Sequence, residues 1–262
     1  MIELYGIEIF GGEIFLVLVI FAFFCEFIDS SLGMGYGTTL TPVLMIIGFG
    51  PLAIVPCVLL SELITGITAG LAHHKVGNVN FKRGSVHLKI ALVLASCSII
   101  GATTAVFLAI NIPTIWLKTY IGLVVFGMGI LILLTLNKDY IFSWKKITGI
   151  GLIAAFNKGM SGGGYGPVVT GGQILSGVNG NNAVGITSLA EGLTCVVGVI
   201  VFIISPDTVN WGLAPSLIIG ALLSVPFSTF IVKKLPTKVL KIAIGILTFI
   251  LGLVTLIKVI IF

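Results

Sequence analysis

Apolar residues form eight long runs along the chain, separated by short polar segments. Six of the runs have the length of one membrane-spanning helix, which takes about 20 residues. The first and fifth runs are longer, and the first would make a helix of about 50 Å at 1.5 Å per residue. The eight runs are 14–47, 51–72, 88–108, 117–137, 147–175, 183–204, 211–232 and 239–261.

Glycines interrupt both long runs near their middle. The first run contains the sequence GMGYG at 33–37, and the fifth contains GGGYG at 162–166, followed by Pro167. Glycine and proline both break helices, so each long run is predicted to form two half-helices around an unwound centre.

The two halves of the chain resemble each other. A shift of 129 residues places Gly35 on Gly164 and Glu62 on Glu191. Internal repeats with glycine-broken segments at matching positions are typical of secondary transporters. We therefore predict an all-α integral membrane protein of two homologous halves, 1–140 and 141–262, each with four hydrophobic segments.

The composition supports a membrane location. Hydrophobic residues make up 57% of the chain and charged residues only 9%, whereas soluble domains carry about 25% charged residues. This excludes an ordinary soluble enzyme. The net charge of +5 comes without any basic–aromatic cluster, so we predict a multi-pass protein of the plasma membrane, embedded in the lipid bilayer, that does not bind nucleic acid.

The basic residues distinguish two topologies. If all eight runs cross the membrane, the basic residues divide eight to five between its sides, and Lys158 is left within the membrane. If the two glycine-broken runs are re-entrant hairpins, each half crosses three times and the halves are inverted. Lys118 and Lys258 then face one side, and the opposite, cytoplasmic side carries an excess of positive charge, as is usual. Its eleven residues are Lys75, Lys82, Arg83, Lys89, Lys138, Lys145, Lys146, Lys233, Lys234, Lys238 and Lys241. We favour the hairpins, and the eight-crossing topology stays open.

The broken segments are the predicted binding site for a small anion. Glycine lets backbone N–H groups approach a ligand, and a helix N-terminus adds free donors and partial positive charge. Close helix packing through small residues is the alternative. The predicted substrate-binding residues are Gly33, Gly35, Tyr36, Gly37, Thr38, Asn157, Lys158, Ser161, Gly162, Gly163, Gly164, Tyr165 and Gly166.

Charged residues inside the apolar runs are candidates for coupling or gating. Glu62 and Glu191 occupy equivalent positions, and a charge at a helix centre costs about 3 kcal/mol unless it is paired. They could carry a coupled proton, or they could brace the glycine backbone. Asp29 and Lys158 are also equivalent, and we expect them to pair with each other or, for Lys158, to attract the anion.

Other chemistry is not indicated. No metal, cofactor or catalytic constellation is predicted. His73 and His74 are expected to be an interfacial pair, and a homodimer could pack through Gly122, Gly127 and Gly129. The GYG sequences lack the TVGYG context of potassium filters, so a cation channel is a minor alternative.

At these residues the sequence resembles the sulfite exporter TauE/SafE family. The resemblance rests on FIDSSLGMGYG at 27–37, FNKGMSGGGYGP at 156–167, and the positions of Glu62 and Glu191. It implies transport of sulfur-containing anions such as sulfite and sulfonates, often outward. The first half departs from the usual glycine-rich run at 29–31, which reads Asp-Ser-Ser.

The sequence therefore predicts a secondary transporter, not an enzyme, for a small anion. The anion would be held near the membrane midplane and exchanged by alternating access, with a proton as a candidate coupling ion. An anion or cation channel with glycine-rich pore loops, and a membrane scaffold that transports nothing, are the alternatives.

Overall fold

A computed structural model describes most of the chain, and the structural statements below concern those residues. They are 6–9, 12–33, 35–134, 143–174, 176–204, 209–231 and 237–261. The predicted boundary between the two halves, at 140/141, lies outside them.

A two-stranded ribbon precedes the helices. Strand β1 (Gly6–Ile9) pairs antiparallel with β2 (Gly12–Phe15), which places Glu8 opposite Glu13. The prediction did not include this ribbon, which lies almost entirely ahead of the first apolar run. The rest of the described chain is helical, as predicted.

Ten helices follow the ribbon in the described part of the chain, and the eight predicted runs account for all of them. The two long runs each give two helices, and the other six runs give one each. In chain order they are α1 (Leu16–Leu32), α2 (Tyr36–Ile47), α3 (Pro51–Val76), α4 (Val86–Asn111), α5 (Thr114–Leu134), α6 (Trp144–Ser161), α7 (Tyr165–Ile174), α8 (Gly180–Ile204), α9 (Ala214–Ile231) and α10 (Thr237–Ile261).

The predicted helix breaks are present, and glycine makes both of them. Gly33 and Gly35 have φ of 63° and 140° between α1 and α2, and Gly162 and Gly164 have φ of 68° and 73° between α6 and α7. Residues with a side chain rarely adopt these angles. We call α1–α2 hairpin 1 and α6–α7 hairpin 2, with tip 1 at 33–37 and tip 2 at 162–166.

Two pairs of equivalent helices run antiparallel. In the pair α3 and α8, Gly66 lies against Gly192 and Gly70 against Leu189, so the residue numbers run in opposite directions. The pair α5 and α10 behaves in the same way. Its contacts join Gly122 to Leu256 and Gly129 to Phe249.

The direction of α1 shows that hairpin 1 folds back on itself. Gly220 of α9 lies against Val19 and Ala22, and the ring of Phe227 makes an edge contact with that of Phe23, so α1 and α9 run parallel. Cys57, in the early part of α3, contacts Asn210, which lies just before α9. Asn78, just after α3, contacts Thr229 near the end of α9. These two contacts show that α3 and α9 also run parallel. Because α1 and α3 point the same way, α2 must return between them.

Hairpin 2 folds back by the same reasoning. Gly101 of α4 lies against Ala155 of α6, and Gly159 against Ala105, so those helices are parallel. The side-chain amide of Asn182 is 2.9 Å from Nε2 of His87, which brings together the first turns of α4 and α8. The loop before α8 therefore lies at the same end of the molecule as the loop before α4. An eight-crossing topology would separate these loops.

Among the described residues, five of the six remaining helices are suited to a membrane. Five described helical stretches are long and apolar enough to cross it: α3, α4, α8, α9 and Thr114–Leu131 of α5. The four helices of the hairpins are not among them. Large apolar side chains such as Ile99, Ile100 and Ile204 are exposed, as expected of surfaces that face lipid.

The α5–α10 contact corrects one expectation. Gly122 and Gly129, predicted as part of a dimer face, instead pack inside the chain against Leu256 and Phe249 of α10. An added Cβ would meet those residues at 2.8 Å and 2.5 Å. Gly127 has open space around it, so of these three glycines it alone has no such contact within the chain.

Candidate functional site

The two tips meet in the interior of the molecule. Gly37 lies directly against the backbone of Gly162 and Gly163, and a Cβ on Gly37 would overlap the carbonyl oxygen of Gly162. The backbone N–H of Gly164 donates to Oγ1 of Thr38 at 2.8 Å. Glycine is therefore required at Gly37 because another main chain occupies the space that a side chain would need.

A second contact joins the hairpins beside the tips. Thr170 of α7 donates its hydroxyl to the carbonyl oxygen of Gly33 at 2.7 Å and lies 2.8 Å from the hydroxyl of Thr187. Gln173 also donates to Thr187, at 2.8 Å. The two hairpins are thus fastened to each other, and hairpin 2 also to α8, so the tips form one polar junction.

Acidic side chains occupy the amide donors of tip 1. The N–H of Gly35 donates to Oδ1 of Asp29 at 2.8 Å, and the N–H of Gly37 donates to Oε1 of Glu62 at 3.3 Å. The sequence predicted bare N–H groups here. In the structure the protein's own carboxylates lie where a bound anion was expected. This agrees with the preference of helix N-termini for negatively charged groups.

The amide donors of tip 2 have hydroxyl partners instead. The N–H of Gly163 donates to Oγ of Ser161 at 3.1 Å, and that of Gly164 donates to Thr38. Ser161 in turn donates to the carbonyl oxygen of Asn157 at 2.8 Å. The two tips are therefore alike in backbone but different in charge.

Lys158 supplies the positive charge of the junction. It is fully buried, and its Nζ lies 2.7 Å from Oε1 of Glu191 and forms a second ion pair with Oε2 of Glu62. The expected pairing of Lys158 with Asp29 is not among the described ion pairs, because Lys158 pairs with the two glutamates and Asp29 accepts from the N–H of Gly35. The antiparallel packing of α3 and α8 brings these glutamates to the same place.

Three carboxylates lie close together at the junction, and two of them contact Lys158. Oxygen atoms of Asp29, Glu62 and Glu191 lie within 4.8 Å of one another. Oε2 of Glu191 is buried without a hydrogen-bond partner among the described residues. The three carboxylates could together hold a cation, including a metal ion. The sequence did not indicate this property. Like charges this close oppose each other strongly, so a proton shared among the carboxyls would relieve the excess negative charge.

The tip tyrosines point toward the long helices. The hydroxyl of Tyr36 is 3.0 Å from Oγ of Ser61 in α3, and Thr194 of α8 donates to the hydroxyl of Tyr165 at 3.2 Å. Both tyrosines are fully buried. They anchor the first turns of α2 and α7, which is the packing role that the sequence left open beside a binding role.

Asn157 has a partner outside the tips. Its Oδ1 accepts a hydrogen bond of 2.5 Å from the hydroxyl of Tyr120 in α5. In this arrangement the side chain links hairpin 2 to α5. Gly166 lies inside α7, one residue beyond its start.

Two buried groups near the junction were not predicted from the sequence. Glu26 accepts from Ser30 at 2.5 Å and from Thr65 at 3.3 Å. His73, expected at an interface, is instead fully buried, with Nε2 placed 2.9 Å from the carbonyl oxygen of Ser30. An acid inside the first apolar run was a signal for Glu26. The residue 129 positions after Glu26 is Ala155, so comparing the two halves did not point to Glu26.

Comparison with known proteins gives two findings. The family described as sulfite exporter TauE/SafE matches residues 18–255 of this chain. The chain is also similar to the "Probable membrane transporter protein YtnM" of Bacillus subtilis (strain 168). The two are 30% identical over 245 residues, which cover 87% of this chain and 79% of the relative.

Proposed function

Because this chain belongs to the TauE/SafE sulfite exporter family, we propose that it is a secondary transporter of a small sulfur-containing anion, such as sulfite or an organosulfonate. The family and the similar protein from Bacillus subtilis are membrane transporters and not enzymes. The chain is accordingly a multi-pass transporter of the cell membrane, and its substrate and mechanism are what we propose here.

The burial of Lys158 where the two tips meet is the main support for this proposal. A fully buried lysine at the meeting point of two broken helices is the natural partner of an anion that has left water. Its present partners, Glu62 and Glu191, come from equivalent positions of the two halves. We propose that the transported anion replaces one of these carboxylates on the Lys158 ammonium group.

The charges of the junction make a proton the natural coupling ion. Asp29, Glu62 and Glu191 would together carry three negative charges against the one positive charge of Lys158. Glu26 adds a further acid nearby. An incoming anion meets this repulsion unless carboxyl groups are neutralised, and protons are the simplest means. In this scheme proton binding frees Lys158 and lets the anion in.

The direction of transport then follows from the combined gradients. If the anion and the proton cross together, outward movement requires a higher anion concentration inside the cell. Export is the direction that the family description names. A cell that accumulates sulfite supplies the necessary gradient.

The tip contact is the proposed gate. We propose inverted repeats, with each hairpin re-entering the membrane from its own side. The antiparallel packing of α3 with α8 and of α5 with α10 supports this arrangement. Rocking of the hairpins against the long helices would part Gly37 from Gly162 and give alternating access to Lys158.

Flux measurements test the proposal. Purified protein in liposomes should move radiolabelled sulfite or an organosulfonate with saturable kinetics, and an acidic exterior should accelerate uptake. Lys158→Gln should abolish this flux, whereas the matched control Lys89→Gln, an exposed lysine of α4, should not change it. Absence of flux with the wild type, or equal flux with Lys158→Gln, would refute the proposal. Unitary currents would instead indicate a channel.

A further inference from the structure

A second basic site lies away from the tips. A cavity of about 220 Å³ opens between the end of α2, the start of α5 and the end of α10. Ile46, on its wall, is nine residues from Gly37 along α2, which corresponds to about 14 Å. The cavity is therefore separate from the Lys158 junction.

Two lysines line this cavity. Lys118 projects from α5 and Lys258 from α10, and no acidic residue is among its described lining. In the hairpin topology these are the two lysines that face the side opposite the eleven basic residues. Lys258 donates one hydrogen bond of 2.8 Å to the carbonyl oxygen of Ile46, which leaves two of its three N–H donors for a ligand.

The rest of the lining suits a group that is charged at one end. Thr255 adds a hydroxyl, and Met45, Phe49 and Val259 add apolar walls. The cavity volume is many times the roughly 10–15 Å³ that a single water needs, so a small oxyanion fits. Two ammonium groups with no acid between them attract an anion rather than a cation.

We propose that this cavity binds an oxyanion group of sulfur or phosphorus through Lys118 and Lys258. The group can belong to the free transported anion, in which case the cavity is a first binding station on this side of the membrane. It can equally be the phosphate of an anionic lipid. The first case rests on the proposed function, whereas the second is independent of it.

Binding measurements distinguish these cases. Sulfite binding is measured in phosphatidylcholine nanodiscs, on a Lys158→Gln background that removes the central site. Retention of phosphatidylglycerol against phosphatidylcholine is measured by native mass spectrometry. Charge-assisted hydrogen bonds are worth about 1.5–3 kcal/mol each, so Lys118→Gln with Lys258→Gln should weaken binding at least about tenfold. Lys118→Arg with Lys258→Arg should retain it, which separates binding from folding, and Lys89→Gln is the surface control.

Each outcome has a defined meaning. Loss of sulfite binding in the double glutamine variant supports the free-anion site, and loss of phosphatidylglycerol retention supports the lipid site. Unchanged values in both measurements would overturn the proposal. If the wild type carries no sulfite flux, the proposed function fails, but the lipid measurement still tests the cavity on its own.

Discussion

The contact between the two tips makes a sharp prediction for Gly37→Ala. The added methyl group would overlap the carbonyl oxygen of Gly162 and lie 2.6 Å from its carbonyl carbon and 3.1 Å from Cα of Gly163. These atoms belong to a main chain, which cannot rotate away as a side chain can. The variant must therefore separate the tips or strain them.

The structure sets the size of the effect. Overpacking a well-packed site costs about 1–3 kcal/mol, and a clash with backbone belongs at the upper end, about 3 kcal/mol. Each kcal/mol lowers the melting temperature of a large domain by about 2–4 °C. We therefore expect Gly37→Ala to melt roughly 6–12 °C below the wild type and to lose anion flux.

Gly171→Ala is the matched control for this experiment. Gly171 lies in α7, in the other hairpin, and an added Cβ would meet nothing within 4 Å. Alanine there should be neutral or stabilise the helix by about 0.5–1 kcal/mol. Melting is followed by fluorescence-detected size exclusion after heating in detergent. If Gly37→Ala matches Gly171→Ala in both melting and flux, the tips do not pack as described.

Three further predictions concern charge, protons and topology. Glu191→Gln should lower the free energy of unfolding by about 1–3 kcal/mol, because Lys158 loses an anionic partner, and an unchanged melting temperature would oppose this. Methanesulfonate keeps the same charge across the pH range of the experiment. Its binding to the wild type should strengthen as pH falls, because protonation removes negative charge from the carboxyl cluster. Binding that weakens in acid would oppose this. Cysteines placed at Asn179 and Lys82, both exposed, should react with an impermeant maleimide from the same side of the membrane; labelling from opposite sides would exclude the hairpins.

The helix breaks could be predicted from sequence because their cause is local. The glycines at 33, 35, 162 and 164 adopt backbone angles that other residues avoid, and that property is visible in the residue type itself. The apolar runs likewise predicted the helices, since length and hydrophobicity alone decide whether a segment can lie in lipid.

The partners of the buried charges could not be predicted in the same way. Equivalent positions suggested that Asp29 would pair with Lys158, but equivalence in sequence does not place two residues together. The antiparallel contact of α3 with α8 brings Glu62 and Glu191 to Lys158 from opposite directions. Asp29 is left to accept from the N–H of Gly35. Lys158 lies 96 positions from Glu62 and 33 from Glu191, so only the packing of the helices brings these partners together.

Glu26 and His73 show a related limit. Both are fixed by contacts with Ser30 on α1, and the residue equivalent to Glu26 in the second half is Ala155. A search guided by the repeat selects groups that occur twice. A group that occurs once must be found from its own charge inside an apolar run, as Glu26 could have been, or from the packing, as for His73.

A cryo-EM map of the protein in nanodiscs, at low pH with saturating sulfite, tests the central proposal most directly. We expect density for the anion in contact with Nζ of Lys158, with the carboxylate of Glu62 or Glu191 displaced from it. A map in which both glutamates still hold Lys158 while sulfite is bound elsewhere would contradict anion exchange at the tips.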